Sequence, residues 1–347
     1  MIIDGIRPHV SVIIPTLNEA SSIETVVRRL LTGISSTTVE VIVADGRSTD
    51  ATRERVAGLA VADPRIRLVD NPDRVTPAAL NAAIAASHGD VILRMDGHAE
   101  PEPGYVDACL SVLAASGAWC VGGTMRKVGT TRAARGAAAA TSSPFGIGGG
   151  RRFHLQDEPA DLDSVWLGCW PRWVFERIGL FDPEMIRNQD DEFSQRILDA
   201  GGRIRFDPSI SAAYISRASW RGLVRQYFGY GLFKVRAVQK RPRLLRFRHL
   251  APAALVGSLV TTGILSVTTP WALVVVGAIS VAWLVVAARF ARNVADEFEA
   301  GVVDVVRAFA CLHAGYGAGM WVGLIRFAPR WFIDRTGNVP RLEAIAD

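Results

Sequence analysis

Three stretches of this chain end regular elements in acids, at places where chemistry is possible. Residues 89–100 read GDVILRMDGHAE. The run from Val91 to Met95 has the length of a buried strand, and Asp96-Gly97-His98 ends it. An Asp and a His two residues apart, with Gly between, can point two ligands at one cation. A carboxylate oxygen with an imidazole suits Mn²⁺ better than Mg²⁺, which prefers oxygen alone. The same residues also fit a polar turn after a core strand, and both readings stay open here. The second stretch, VEVIVA at 39–44, runs into Asp45-Gly46-Arg47-Ser48-Thr49-Asp50. Asp45 ends an apolar strand directly and comes too early to cap the next helix. The third is RNQDDEFSQRILDAGG at 187–202. Asn188 with Asp191 has the form of an N-cap and its partner, which puts Asp190 in a first helical turn. There the helix dipole favours the carboxylate, the state a general base needs. An acidic first turn is also an ordinary way to start a helix.

The elements that must hold these acids follow from hydrophobic period. VSVII at 10–14 predicts a first strand ended by Pro15. Ser21 and Glu24 predict a capping box, with Ile23, Val26, Val27, Leu30 and Leu31 at helical spacing. A short strand follows at Ile66–Val69, then a helix from Pro77 to Ala86. Strand and helix alternating in this way predict an α/β fold with a mainly parallel, Rossmann-like sheet. Ligands bind at the carboxyl ends of such strands, so PTLNE and DGRSTD should border one crevice. A helix is predicted at 105–116, then a strand from Cys120 to Met125 followed by Arg126. Residues 129–164, rich in Ala, Gly, Ser and Arg, predict a long mobile segment of the kind that forms lids. Gly148-Gly149-Gly150 is no phosphate loop, because no strand precedes it and no Lys-Ser/Thr follows. Trp166, Trp170 and Trp173 surround Gly168 and read as wall and core, with one able to meet a sugar face.

Composition adds a membrane. Hydrophobic residues are 49% of the 347, and the excess lies in residues 250–290. The net charge of +5 comes largely from basic residues just before that block. That placement suits a membrane surface, and no basic strand interleaved with aromatics suggests nucleic acid. Four scattered cysteines without CxxC spacing read as small buried residues of a reducing compartment. The first ten residues are too short and polar for a signal peptide. The expected organisation is a catalytic domain at 1–220, a basic amphipathic interface helix at 221–248, a transmembrane hairpin at 249–290 and a C-terminal region at 291–347. The hairpin would have spans at 250–269 and 271–288 turned by Pro270, with Arg289 and Arg292 returning to the basic side. By the positive-inside rule that side is the cytoplasm. Residues 303–326 are a third membrane candidate that carries Asp304, Arg307 and His313. Spanning, re-entrant and flat-lying readings of it stay open.

Together these motifs resemble a known family. SVIIPTLNE, ADGRSTD, an Asp-x-His at a strand end, NQDDE, and QYFGYG before apolar helices occur in that order. The set resembles a family-2 glycosyltransferase of the GT-A fold, and is similar to membrane-attached bacterial enzymes of the succinoglycan glucosyltransferase type. The resemblance covers about residues 10–250 and the hydrophobic tail. It implies that Pro15, Thr16, Asn18 and Glu19 form the first nucleotide-binding loop and that Asp45 meets the donor's base. It implies that Asp96, with Gly97 beside it, is the first aspartate of the DxD motif, at ribose and metal. The family usually has Asp where His98 stands, so the implied ligands of the divalent cation (Mn or Mg) are Asp96 and His98. Asp190 matches the catalytic aspartate of the ED motif, whose Glu is here Gln189. Gln226 begins what resembles QxxRW, with Gly229-Tyr230 in place of Arg-Trp. Arg126 is the candidate to supply the cation that this motif lacks.

The activity so implied is inverting transfer from a nucleotide-sugar donor, UDP-linked on family grounds, to a polyprenyl-diphosphate-linked acceptor. It would take place at the cytoplasmic face of a bacterial plasma membrane, in a multi-pass protein that touches membrane lipids and no nucleic acid. One rival is transfer to polyprenyl phosphate itself, as in dolichyl-phosphate-mannose-synthase-like enzymes. Another is a non-catalytic membrane scaffold with the same fold. A sugar nucleotidyltransferase would need glycines after the first strand, where PTLNEASSIE has none.

Overall fold

The computed structural model describes residues 9–32, 39–148, 157–216, 219–333 and 339–342. The chain divides into two compact units. The first holds residues 1–126, 153–214 and 337–347, and the second holds 127–152 and 215–336.

In chain order the first unit opens with β1 (Val10–Thr16), α1 (Ile23–Leu31), β2 (Val39–Asp45), α2 (Thr52–Ala62), β3 (Ile66–Asp70), α3 (Thr76–Ala85), β4 (Val91–Arg94), β5 (Ala99–Pro101), α4 (Tyr105–Ser116) and β6 (Cys120–Val128). The chain enters the second unit as α5 (Arg132–Ser142) and α6 (Pro144–Ile147). It returns as β7 (Ala160–Asp161), β8 (Cys169–Pro171), α7 (Trp173–Ile178), α8 (Gln189–Asp199) and β9 (Ile204–Ile215).

The nine strands form one sheet in the order β3-β2-β1-β4-β8-β6-β9-β5, with β7 on β9. The first four are parallel, while β8 runs antiparallel to β4 and to β6. From β1 the chain steps outward to β2 and β3, then returns to place β4 on the other side of β1. The order therefore reverses between β1 and β4, and in open α/β sheets ligands bind at such a switch point. Side-chain alternation splits the core in two. Val12, Ile14 and Leu93 face α1 and α4, whereas Ile13, Ile42 and Ile92 face α3 and α8. Both faces are covered, which is why β1 and β2 read as nearly continuous apolar runs.

Two helix starts depart from the predicted caps. α1 begins at Ile23 with Ser22 at the cap, and no side chain caps it. The Ser22 hydroxyl instead donates to the Gly97 carbonyl at 2.7 Å, a bond that ties α1 to the end of β4. Asn188 is the N-cap of α8, but it is left-handed (φ 61°) and its side chain makes no cap bond. A cap is worth about 1 kcal/mol. Burying Phe193 and Ile197 contributes roughly 1.5–3 kcal/mol each, which outweighs the missing cap. Arg196 also fixes α8: it pairs with Glu192 and donates to the carbonyls of Ile178 and Leu180, both at 2.7 Å.

The second unit continues with α9 (Trp220–Lys240), α10 (Phe247–Leu265), α11 (Trp271–Arg292), α12 (Val302–Arg326) and α13 (Arg330–Ile333). The segment predicted as an irregular lid holds α5 and α6; its alanines are strong helix formers and bury one face. Gly149 and Gly150 lie outside the described residues. α9 does not lie alone at a surface, because Lys234, Arg236 and Lys240 are buried. α9 packs on α12 through Gly315, Gly319 and Gly323. A Cβ at Gly315 or Gly323 would lie 2.8 or 2.6 Å from the carbonyl oxygen of Val224 or Leu232. Asp304, Arg307 and His313 of α12 find partners within this unit. Asp304 accepts from Arg132 at 3.1 Å, Arg307 lies 5.1 Å over the Trp220 ring, and Trp283 donates to His313 at 3.0 Å. Among the described residues, two helices are long and apolar enough to cross a membrane, α11 and α12. α10, predicted as the first arm of the hairpin, is not one of them, since Arg248 and His249 occupy its first turn. Only 11% of the apolar window of α11 is buried inside the protein, against 50% for α12.

Candidate active site

The site grows from the end of β4. Arg94 leaves the strand on the same face as Ile92, the face covered by α8. Its guanidinium is buried, with 6% of the side chain exposed. Arg94 Nε and Nη2 donate to Asp96 Oδ1 at 3.0 and 2.9 Å, and Nη1 donates to Asp190 Oδ1. Asp96 and Asp190, 94 residues apart in sequence, are thus joined by one cation. Burial disfavours that charge, but Asp190 and Asp96 raise the guanidinium pKa and keep it protonated. The two acids are pushed apart. Burial works to raise Asp96, yet Arg94, His98 and a hydrogen bond from Trp166 hold it below the ordinary carboxylate range. Burial pushes Asp190 up to about 6; Arg94 opposes that shift, and Asp96 and Asp191 add to it. Asp190 still leaves 36% of its side chain open. Paired carboxylates whose environments separate their pKa values are an arrangement suited to acid–base work.

Across the switch point, His98 Nδ1 lies 2.9 Å from Glu19 Oε1. A carboxylate can only accept, so Nδ1 carries the proton toward Glu19. Histidine ligands of metals are commonly oriented by a carboxylate in this way. The β1 loop sits tight against Gly97, where a Cβ would lie 3.0 Å from Thr16 Cγ2 and 3.2 Å from Glu19 Cγ. Of the three tryptophans, Trp166 is the one at the site, edge-on to Tyr214, whose ring also meets His98. Trp170 belongs to the core. Among the described residues no three His, Cys, Asp or Glu side chains form a metal cage. Asp96 and His98 offer two donors. That is the donor set expected where a cation completes its shell with substrate phosphates and water.

Asp45 is positioned differently. It is fully buried at the end of β2 and fully engaged. Oδ2 accepts from the Ser48 N–H at 2.9 Å and from Arg53 at 3.0 Å, while Oδ1 accepts from the hydroxyls of Ser48 and Thr16 at 2.5 and 3.3 Å. Asn18, left-handed at φ 58°, laces the first loop to the second: its backbone N–H donates to Ser48 Oγ and its side-chain Oδ1 accepts from the Thr49 N–H, both at 2.8 Å. Pro15 does not end β1 as predicted: it pairs with Ala44, and the strand runs on to Thr16 opposite Asp45. Arg47 and Arg53 both reach Asp70 on the outer side of this pocket.

The structure therefore brings together Asp96, Gly97, His98, Glu19 and Asp190, and beside them the loops of Thr16, Asn18 and Asp45. Arg126 is half-exposed and pairs with Glu102; its described contacts do not include Asp96, His98 or Asp190. Gln226 belongs to the second unit, where it donates to Tyr230 Oη at 3.2 Å. Arg94 is the residue that sequence reasoning missed. Its signal was a cation inside an otherwise apolar strand, since a buried charge requires a partner.

Comparison with known proteins agrees with this layout. The profile of glycosyl transferase family 2 matches residues 11–164. The chain is 30% identical over 330 residues to the succinoglycan biosynthesis protein ExoA of Rhizobium meliloti, across 92% of this chain and 96% of that protein. The chain belongs to glycosyl transferase family 2. It is a glycosyltransferase, and its relatives build glycans. One is a Methanococcus voltae enzyme, 26% identical over 67% of this chain and 74% of its own length. That enzyme is named dolichyl N-acetyl-alpha-D-glucosaminyl phosphate 3-beta-D-2,3-diacetamido-2,3-dideoxy-beta-D-glucuronosyltransferase. Among solved structures, the mannosyltransferase PcManGT of Pyrobaculum calidifontis, in complex with GDP-mannose and Mn²⁺, shares the fold. Its TM-score is 0.59 at 20% identity, over 92% of this chain and 88% of that one.

Proposed function

We propose that this glycosyltransferase moves a sugar, with inversion, from a UDP-sugar to a polyprenyl-diphosphate-linked glycan during assembly of a bacterial cell-surface polysaccharide. The observation that carries this reading is the Asp96–Arg94–Asp190 bridge at the switch point, with one acid held low and the other raised to about 6. At neutral pH Asp190 is ionised and is the general base. It accepts the proton of the acceptor hydroxyl as that oxygen attacks the anomeric carbon from the face opposite the diphosphate. No covalent intermediate is needed, so one base suffices. Asp96 and His98, the latter oriented by Glu19, would hold a divalent cation. When bound, that cation neutralises the charge gathering on the departing nucleoside diphosphate. Pro15, Thr16, Asn18, Glu19 and Asp45 frame the nucleotide through the laced loops, the first of which begins after Thr16. Trp166 and Tyr214 wall the sugar side.

A lipid-linked acceptor is supported by the lipid named in the Methanococcus relative and by the outward apolar surface of α11. The basic residues around Arg243 and Arg289 favour a cytoplasmic catalytic unit. Purified protein in detergent, given UDP-, GDP- and dTDP-sugars with and without Mn²⁺ or Mg²⁺, tests the donor. Metal-dependent binding of one nucleotide class, lost in Asp96→Ala, is the expected result. Binding that ignores metal would remove Asp96 and His98 from that role. Extracted lipid products then separate a lengthened glycan on a diphosphate from a single sugar on a monophosphate, which is the rival reading.

A further inference from the structure

We propose that Arg94 is the positioning residue of this active site, its one guanidinium fixing the donor-side carboxylate of Asp96 and the acceptor-side carboxylate of Asp190 in a single arrangement. The proposal rests on the glycosyl-transfer reading above. Strand formation gives no reason for a cation at this place: Ile92, two residues earlier on the same face, packs in the core. Yet Arg94 is 5% exposed, and a buried guanidinium persists only with partners. Its partners are the two acids with different tasks. The fork divides between them, with Nη1 on Asp190 and with Nε and Nη2 both on Asp96 Oδ1. Asp96 Oδ2 therefore lies outside the fork. The backbone of Arg94 is fixed too, its N–H donating to the Gly168 carbonyl at 3.0 Å.

One guanidinium, with a single positive charge, bridges the two carboxylates. Arg94 touches no reacting atom and moves no proton; it acts through the two acids. A lysine would keep the charge but not the planar fork, so it could not aim two carboxylates at once. Coupling follows from the shared cation. Removing the acid on the acceptor side leaves Arg94 wholly to Asp96, and the donor side should feel it.

The test uses the full chain in detergent. UDP, GDP and dTDP, each with Mn²⁺, are the binding probes, and kcat and KM are measured with the donor sugar that turns over. In Arg94→Lys Mn²⁺-dependent nucleotide binding weakens about five- to tenfold and kcat falls about 100-fold, the scale expected when reacting groups are misplaced by an ångström. Arg94→Met falls further, and added guanidinium restores part of its turnover. An unchanged kcat in Arg94→Lys overturns the proposal, and so does a loss confined to KM. Should the Arg94 variants fail to fold, the comparison of Asp190→Asn with Asp191→Asn decides. These remove the same charge from adjacent residues. Asp190→Asn is expected to weaken Mn²⁺-dependent nucleotide binding about five- to tenfold, the size of a modest coupling between sites, and Asp191→Asn to leave it near wild type. Equal effects overturn the proposal. Wild-type protein that binds none of the three nucleotides overturns the glycosyl-transfer reading itself, a result distinct from any failure at Arg94.

Discussion

Asp45 and Asp96 end strands that flank β1 on either side, and the sequence presents them alike: an apolar run, an acid, a glycine. The structure treats them differently. Asp45 is shut from solvent, and its carboxylate is taken up by Thr16 at the end of β1, Ser48 in the following turn and Arg53 in α2. Asp96 is partly open and shares its cation with a residue 94 positions away in sequence. An acid satisfied by its neighbours holds a loop in shape. An acid that shares its partner with another acid can give that partner up when a ligand arrives.

The largest effect should come from the far end of that sharing. Asp190→Asn is expected to lower kcat roughly 10²–10⁴-fold, the usual worth of a general base. Near-normal turnover would mean that the contrast between the two strand ends has no catalytic content. Next comes Asp96→Asn, which should abolish the metal dependence of nucleotide binding and weaken it about 10- to 100-fold if Asp96 is a cation ligand. If Asp45→Asn did the same, the two strand ends would be equivalent after all.

The third effect is graded by pH. Asp190 titrates near 6 in the folded protein, above its ordinary value of 3.8. Below that value the base is protonated, so kcat/KM should fall about tenfold per unit as pH drops below 6. Stability runs the other way. Between the two values the folded state binds more protons than the unfolded one, so this group's contribution to stability increases as pH falls from 6 toward 3.8. Asp96, held low, contributes with the opposite sign and loses its stabilisation only as acid protonates it. A kcat/KM profile flat from pH 5 to 7 would remove Asp190 from the proposed role, while denaturant unfolding over the same range checks the stability trend. The smallest catalytic effect is reserved for Asp45→Asn. It should cost about 1–3 kcal/mol of stability through its lost buried bonds, read as a lower unfolding midpoint, and leave kcat close to wild type.

Much of this was legible beforehand because apolar strands stopped by acids are local signals. The strands that lead to Asp45 and Asp96 and the helix that carries Asp190 followed from local pattern, whereas β1 runs two residues beyond the stretch read as strand. Arg94 was not read, because a single charge was absorbed into the run from Val91 to Met95. Its partner Asp190 is fixed by packing across the sheet, which no local pattern encodes. Composition misled in 129–164, where Gly, Ser and Arg obscured the alanine face of α5. The spacing of Gly315, Gly319 and Gly323 was present in the sequence, four residues apart, and marks a face where another helix backbone comes close.

The second unit is assembled from stretches that leave the ribosome at very different times. α5 buries Ala133, Ala134 and four further alanines, and Arg132 waits for Asp304, 172 residues later. At 5–20 residues per second that interval is roughly 10–35 s, during which a finished helix has no partner from α12 to cover it. A fragment ending at residue 214 never reaches the end of that wait, because the segment that completes the pairing is not made. Trimming the apolar tail to obtain a soluble enzyme would thus prolong indefinitely the most exposed moment in the life of the chain.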